Sequence, residues 1–250
     1  SRWVKPGDPA GKGNDGIEGD SIMAELLIEL LSEEIPARMQ ARATADFQKL
    51  VEDRLKDAHL TYVRAHSYVT PRRLVLVVDD LTERQPDRNE ERKGPRVGSP
   101  DKAVEGFLRA AGLTSLDQCE QRTVGKADFW FAVSTVEGQP TDAVLPGMIA
   151  DAIRALPWPK SMRWADGAFR YVRPLQRINV VFGGKPLPGS LDLGGSLGER
   201  AFGAETEGHR FMARGPIQIA NFAQYKEALR AHYVILDQQE RKAKIGTDLE

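Results

Sequence analysis

One cysteine, Cys119, is all that the 250 residues contain. A single thiol closes no internal disulfide and supplies no zinc cage, so a disulfide-stapled secreted scaffold is excluded and a reducing, cytoplasmic setting is expected. Also lacking is any apolar run of about 18 residues, the length of a membrane span. The N-terminus has no basic-then-apolar signal profile. Nor is there an excess of charge: Lys and Arg total 35 against 36 Asp and Glu, so no overall field draws the molecule to polyanions, and any contact with nucleic acid is local. DNA and membranes are therefore not expected partners. Neither the P-loop pattern G-x-x-x-x-G-K-[ST] nor the dinucleotide pattern G-x-G-x-x-G occurs, so ATP has no site of either kind here. The 4 histidines are scattered, without metal-ligand spacing.

What is present is ordinary for a globular chain: 41% hydrophobic and 28% charged residues. Residues 1–22, rich in Gly, Pro, Asp and Lys, read as an added leader or a disordered arm, with Met23 as the natural start. Residues 23–245 read as one module, and a division into two lobes, if there is one, falls near Leu156 to Lys160. Leu26 to Leu31 is apolar enough for a buried strand ended by Ser32-Glu33-Glu34 and Pro36. Met39, Ala43, Phe47, Leu50, Val51 and Leu55 then recur at helical spacing.

Tyr62 to Val69 and Leu74 to Val78 predict two strands, the second β-branched enough to be covered on both faces. Thr70-Pro71-Arg72-Arg73 joins them. Pro71 fixes its own φ and biases Thr70 to extended backbone, which sets both arginines at the start of the second strand. Residues 82–98, with nine charges, two prolines and two glycines, predict an exposed loop. A helix follows, with Ser99 as N-cap, Pro100 as first residue, Val104, Phe107, Leu108 and Ala111 as its buried stripe and Gly112 as its stop.

Phe129 to Ser134 predicts a strand, and Val144 to Leu156 a helix with Pro146 in its first turn. Leu175 to Phe182 predicts a strand that turns at Gly183-Gly184 into a hairpin with Leu187 to Leu193. Pro216 to Ile219 reads as a short strand and Asn221 as a helix cap. A polar helix begins at Asp237 and runs out uncapped at residues 246–250, which reads as a cut end. Strands and helices mix without a regular βαβ beat, so the fold class expected is α+β, with mixed sheets and packed helices.

Gly194-Gly195-Ser196-Leu197-Gly198 matches the G-x-S-x-G nucleophile elbow formally, but no apolar helical stripe follows it, and a glycine-rich turn is the expectation. No catalytic residue, metal site or bound cofactor is expected in this stretch. The most uneven charge lies at Lys160, Arg163, Arg170, Arg173 and Arg177, faced by Asp166 alone and interleaved with Trp158, Trp164, Phe169 and Tyr171. Arginine forks onto phosphate and aromatic faces stack on bases, but the same residues serve a subunit interface or internal packing, and all three readings stand at this point. His209 and Arg210, in Glu207-Gly208-His209-Arg210-Phe211, face either a ligand or the fold.

Taken in order, Ser32-Glu33-Glu34-Ile35-Pro36, Thr70-Pro71-Arg72-Arg73-Leu74, the 83–88 loop with Lys93-Gly94-Pro95, Lys160-Ser161-Met162-Arg163-Trp164, Tyr171-Val172-Arg173-Pro174 and Gly208-His209-Arg210-Phe211 resemble the β subunit of glycyl-tRNA synthetase. The sequence departs from the usual pattern at Leu175-Gln176-Arg177 and at Glu207. The resemblance implies an α₂β₂ assembly in which a separate α subunit, using ATP and Mg²⁺, activates glycine and transfers it to tRNA(Gly). It also implies an α+β module of the B3/B4 type for this N-terminal part, with HD-type and anticodon-binding parts beyond residue 250. On that footing, Arg72, Arg73, Lys160, Arg163, Trp164, Arg170, Arg173, Arg177, His209 and Arg210 are the candidates for contact with tRNA or with the α subunit. A hydrolytic editing module for mischarged tRNA and a pure scaffold are the competing readings.

Overall fold

A computed structural model of the chain describes residues 23–163 and 166–248. The apolar run becomes strand β1 (Met23–Ser32), which is followed by helix α1 (Ala37–Asp57) and the strand pair β2 (Arg64–Thr70) and β3 (Arg73–Thr82). Next come β4 (Arg88–Arg96), α2 (Asp101–Ala111), β5 (Cys119–Val124), β6 (Ala127–Val136) and α3 (Thr141–Arg154). The remainder holds β7 (Met162–Arg163), β8 (Arg170–Tyr171), β9 (Leu175–Phe182), β10 (Lys185–Pro186), β11 (Ser190–Asp192), β12 (Glu199–Gly203), β13 (Glu205–Glu207), β14 (Pro216–Gln218), α4 (Phe222–Ala231) and α5 (Gln238–Asp248). The architecture is α+β.

A 7-stranded sheet in the order β11-β12-β9-β1-β3-β2, with β10 hung on β9, organises the chain. β1 lies at its centre, antiparallel to both β3 and β9. Both faces of β1 and β3 are covered, so side chains of either parity are buried, as the unbroken apolar and β-branched runs require. Leu26, Ile28, Leu30, Leu74, Leu76 and Val78 face α1 and α3, where Phe47, Val51, Leu55, Ile149 and Ile153 complete one core. Leu27, Val75, Val77 and Val181 face the other way, onto Ile217, Tyr225 and Leu229.

Four sequence expectations need correction. The segment 82–98 is not a loop: its second half is β4, whose residues 88–93 are all exposed while its backbone pairs with β6. Charge hides such a strand from the sequence, because an edge strand needs no apolar face to hold its ladder. Ser99 does not cap α2. The N-cap is Pro100, with extended backbone and no side-chain cap, although Gly112 ends the helix in the left-handed region at φ 70° as expected. α3 starts earlier than expected, at Thr141, which places Pro146 in its second turn, where Asp142 loses its usual amide donor. Finally, Gly183 and Gly184, both at positive φ, make the predicted tight turn, but the return on β9 is limited to Lys185, Pro186 and the Leu187 amide; residues 190–192 pair with β12 instead.

β4, β6 and β5 form a separate 3-stranded sheet inserted between β3 and α3. The two chain crossings that lead into and out of it are tied together. Gln85 donates its amide to the Gln139 carbonyl at 2.9 Å, and Gly138 donates its own to Asp87 Oδ1 at 2.8 Å. Thr141, fully buried, donates its amide to the Glu83 carbonyl at 2.9 Å and its hydroxyl to the Thr82 carbonyl at 2.6 Å.

Candidate functional site

Segments far apart in the sequence meet at the end of β1. Where the strand ends, Ser32 donates its amide to the Arg72 carbonyl at 2.8 Å, Ile35 donates to Pro71 at 2.6 Å and Glu33 donates to Pro174 at 2.9 Å. The Thr70-to-Leu74 turn is thereby fixed against both the Ser32-to-Pro36 turn and the Val172-to-Leu175 bend. The Gly208-to-Phe211 loop closes the same corner. A cavity of about 260 Å³ opens there, lined among others by Glu34, Arg72, His209, Arg210, Tyr233 and Arg241.

Arg73 points into the fold. It is 3% exposed, and its Nε donates to Glu29 Oε1 at 3.0 Å, while its Nη2 donates to the Glu207 carbonyl. Glu29 is 0% exposed and fully occupied: Tyr225 Oη at 2.6 Å and Thr206 Oγ1 at 2.8 Å also donate to Oε1, and Asn179 Nδ2 donates to Oε2 at 2.7 Å. This one carboxylate therefore ties β1, β3, β9, β13 and α4. Burial, reinforced by the Glu29 charge, pushes the Tyr225 phenol well above its ordinary range, so it serves as a donor throughout.

Arg72 is also committed. Its Nε donates to the Ser32 carbonyl at 3.3 Å and its Nη2 to Gln176 Oε1 at 2.7 Å, and Nη2 lies 3.2 Å from Glu207 Oε1. Gln176 and Glu207 thus both serve Arg72. Arg210 lies 3.8 Å from Glu33 and 3.6 Å from Glu34, with its guanidinium over the Phe211 ring. Half-exposed pairs at such distances contribute little. His209 Nδ1 accepts the amides of Phe211 and Met212 at 3.3 and 3.2 Å, so it shapes its own loop.

Arg241 donates to the carbonyls of Ile235, Leu236 and Val69 at 2.7, 2.8 and 2.6 Å. Burial holds it below the ordinary arginine value, with Asp237 pulling the other way. The four arginines of the corner thus stand against Glu29, Glu33, Glu34 and Glu207, and its charge is balanced. Gly208 is the close approach in this corner: a Cβ there meets His232 Cβ and the His232 carbonyl inside 3.0 Å. Gly208→Ala is accordingly expected to destabilise the chain by roughly 1–3 kcal/mol in urea unfolding. An unchanged midpoint contradicts the placement.

The basic island does not stay together. Arg177 leaves it for β13, donating to Glu205 Oε1 at 2.6 Å, and the half-buried Arg173 donates to the Val172 carbonyl at 3.1 Å. Arg163 and Arg170 are cross-strand partners on the β7–β8 hairpin, and both are exposed, as is Lys160 just before it. Arg170 donates to Ser161 Oγ at 3.2 Å; among the described residues, Lys160, Arg163 and Arg170 have no carboxylate partner. Trp164 lies outside the described residues.

Ser196 sits in a short 3₁₀ turn followed by β12, and its hydroxyl donates to Asp166 Oδ1 at 2.7 Å, which holds that carboxyl below its usual range. It is a turn residue, as expected. Among the described residues no group of three or more His, Cys, Asp or Glu side chains is placed to hold a metal ion, and no helix is long and apolar enough to cross a membrane. Sequence reasoning missed Glu33 and Glu34 as partners of Arg210. β1 ends at Ser32, so strand alternation does not send these neighbouring carboxylates to opposite faces.

The family model described as the glycyl-tRNA synthetase beta subunit matches residues 26–250. The chain belongs to that family. It is similar to the glycine–tRNA ligase beta subunit of Rhodospirillum centenum, 50% identical over 238 residues, which covers 88% of this chain and 33% of that protein. The proteins of the same description from Ruegeria sp. (strain TM1040) and Paracoccus denitrificans are each 47% identical, across 90% and 89% of this chain and 32% of their own length. The chain thus spans about a third of the length of these curated relatives.

Proposed function

We propose that this chain is the N-terminal part of the β subunit of a cytoplasmic glycine–tRNA ligase, and that it serves ATP-dependent glycylation by handling tRNA(Gly) and joining the α subunit. Catalysis, with ATP and Mg²⁺, belongs to the α subunit, and this part contributes no catalytic group. The observation that carries the tRNA role is the β7–β8 hairpin. Among the described residues, Lys160, Arg163 and Arg170 present three cations to solvent without a carboxylate to neutralise them, whereas the arginines of the Arg72 corner are balanced by carboxylates, with Arg72 and Arg73 turned inward. Unneutralised arginine and lysine at a surface attract phosphate, and with no net positive charge over the whole chain such attraction is local.

The test is the triple variant Lys160→Ala, Arg163→Ala, Arg170→Ala in the complete β subunit, assembled with α. Affinity for tRNA(Gly) is expected to fall at least about tenfold at moderate salt, with α association intact. Unchanged affinity removes the support for this reading. Loss of α association instead of tRNA affinity makes the hairpin a subunit contact.

A further inference from the structure

Beside that hairpin runs a groove the tRNA reading does not by itself require. It lies between the first turns of α1 and the segment after α3, encloses about 300 Å³ and is lined by Arg38, Met39, Arg42, Trp158, Pro159 and Lys160, among others. Its floor is apolar. Met39 and Ala43 are buried parts of the main core, and the Trp158 indole is fixed edge-on against Tyr171, 4.8 Å between ring centres at 68°. Its rim is cationic: Arg38, Arg42 and Lys160 stand against Asp46 alone, which Arg42 meets at 3.4 Å.

The placement of Arg38 and Arg42 runs against the helix that carries them. Arg38 is the second residue of α1, the first turn of which holds no acidic residue, so a cation sits at the positive end of the helix dipole. Arg42 follows at the i+4 position, adding like-charge repulsion. Arg38 has no ion-pair or hydrogen-bond partner among the described residues. Among the described residues only the exposed Arg42–Asp46 pair offsets this arrangement, and it leaves Arg38 uncompensated; an anion bound in the groove compensates both.

We infer that this groove seats an unpaired stretch of RNA, with phosphates on Arg38, Arg42 and Lys160 and a base against the Trp158 and Pro159 surface. A positive rim over a rigid aromatic and apolar floor is the combination that holds single strands without reading their sequence. Lys160 belongs to both the groove and the β7–β8 surface, so the two are continuous. The inference rests on the tRNA-handling reading and extends it from a charged patch to a seat for unstacked nucleotides.

The test uses the assembled enzyme carrying Arg38→Ala and Arg42→Ala in β, two exposed positions whose loss leaves the core untouched. The probes are a short unpaired oligoribonucleotide, a blunt RNA duplex of equal phosphate number and tRNA(Gly). Affinity for the unpaired oligonucleotide is expected to drop about tenfold, that for tRNA(Gly) to drop with it, and that for the duplex to change by less than about twofold. Equal loss for duplex and single strand overturns the inference, since charge alone then explains binding, and so does an unchanged single-strand affinity. If that failure comes while the Lys160, Arg163 and Arg170 variant still weakens tRNA(Gly) binding, only the groove is refuted. If neither variant alters tRNA(Gly) affinity, the tRNA-handling reading falls as well. Loss of α association in the Arg38 and Arg42 variant assigns the groove to a protein partner and equally overturns the inference.

Discussion

Arg73→Ala is expected to destabilise the chain by about 3–5 kcal/mol, measured by urea unfolding, although the residue presents almost no surface. Removing the guanidinium leaves Glu29, 0% exposed, as an uncompensated charge inside the sheet, and orphans the Glu207 carbonyl that now accepts from Arg73. The Tyr225, Thr206 and Asn179 donors remain, but dipoles alone do not neutralise a buried carboxylate. A second substitution identifies the cause. Arg73→Met combined with Glu29→Gln removes the charge while keeping a hydrogen-bonding amide, so it is expected to recover about 0.5–3 kcal/mol relative to Arg73→Met alone. A double variant no more stable than Arg73→Met contradicts the buried-charge account.

Gly138→Ala is expected to be comparably costly for a steric reason. A Cβ at this position falls on the Gln85 carbonyl, far inside 3.0 Å, and close to the Pro86 carbonyl as well. These are backbone atoms of the other crossing into the small sheet, so no side-chain rotamer relieves the clash. Forcing the crossings apart costs about 1–3 kcal/mol as overpacking and about 1 kcal/mol more for each crossing hydrogen bond that fails to re-form. Limited proteolysis within residues 83–87 should accelerate alongside the drop in urea midpoint. Wild-type stability and cleavage rate together contradict the tied crossing.

Much of the central sheet was legible because its strands are nearly unbroken apolar runs. Leu26 to Leu31 and Leu74 to Val78 are apolar at nearly every position, and only a strand covered on both faces uses such a run. The turn at Pro71 was legible for the same local reason. What it does was not, because the partner of Arg73 lies 44 residues away. A signal was present in Glu29, an acidic residue inside a leucine-rich run, which requires a buried cation or donor somewhere in the fold. β4 was hidden by its charge, and the pairing of β11 with β12 by its brevity.

The candidate site divided along similar lines. The Lys160-to-Arg177 segment stood out as a local excess of positive charge, but sequence distance does not say which arginines find carboxylates. Glu205 takes Arg177 from a strand 28 residues on, and the two-residue strands β7 and β8 leave Arg163 and Arg170 outside. Arg38 and Arg42 went unnoticed because a charged helix face is ordinarily solvated. Only the groove they rim, closed by Trp158 from the far end of α3, sets them apart.

On the reading proposed here, the exposed cations of the β7–β8 hairpin, and not the arginines of the Thr70-to-Leu74 turn, meet RNA phosphate. Its most direct test is the salt dependence of tRNA(Gly) binding by the assembled enzyme, with and without Lys160, Arg163 and Arg170. Each cation–phosphate pair removed should flatten the slope of log K against log salt by about 0.7–0.9, so the triple variant should take about 2–3 off the wild-type slope. An unchanged slope would contradict the account.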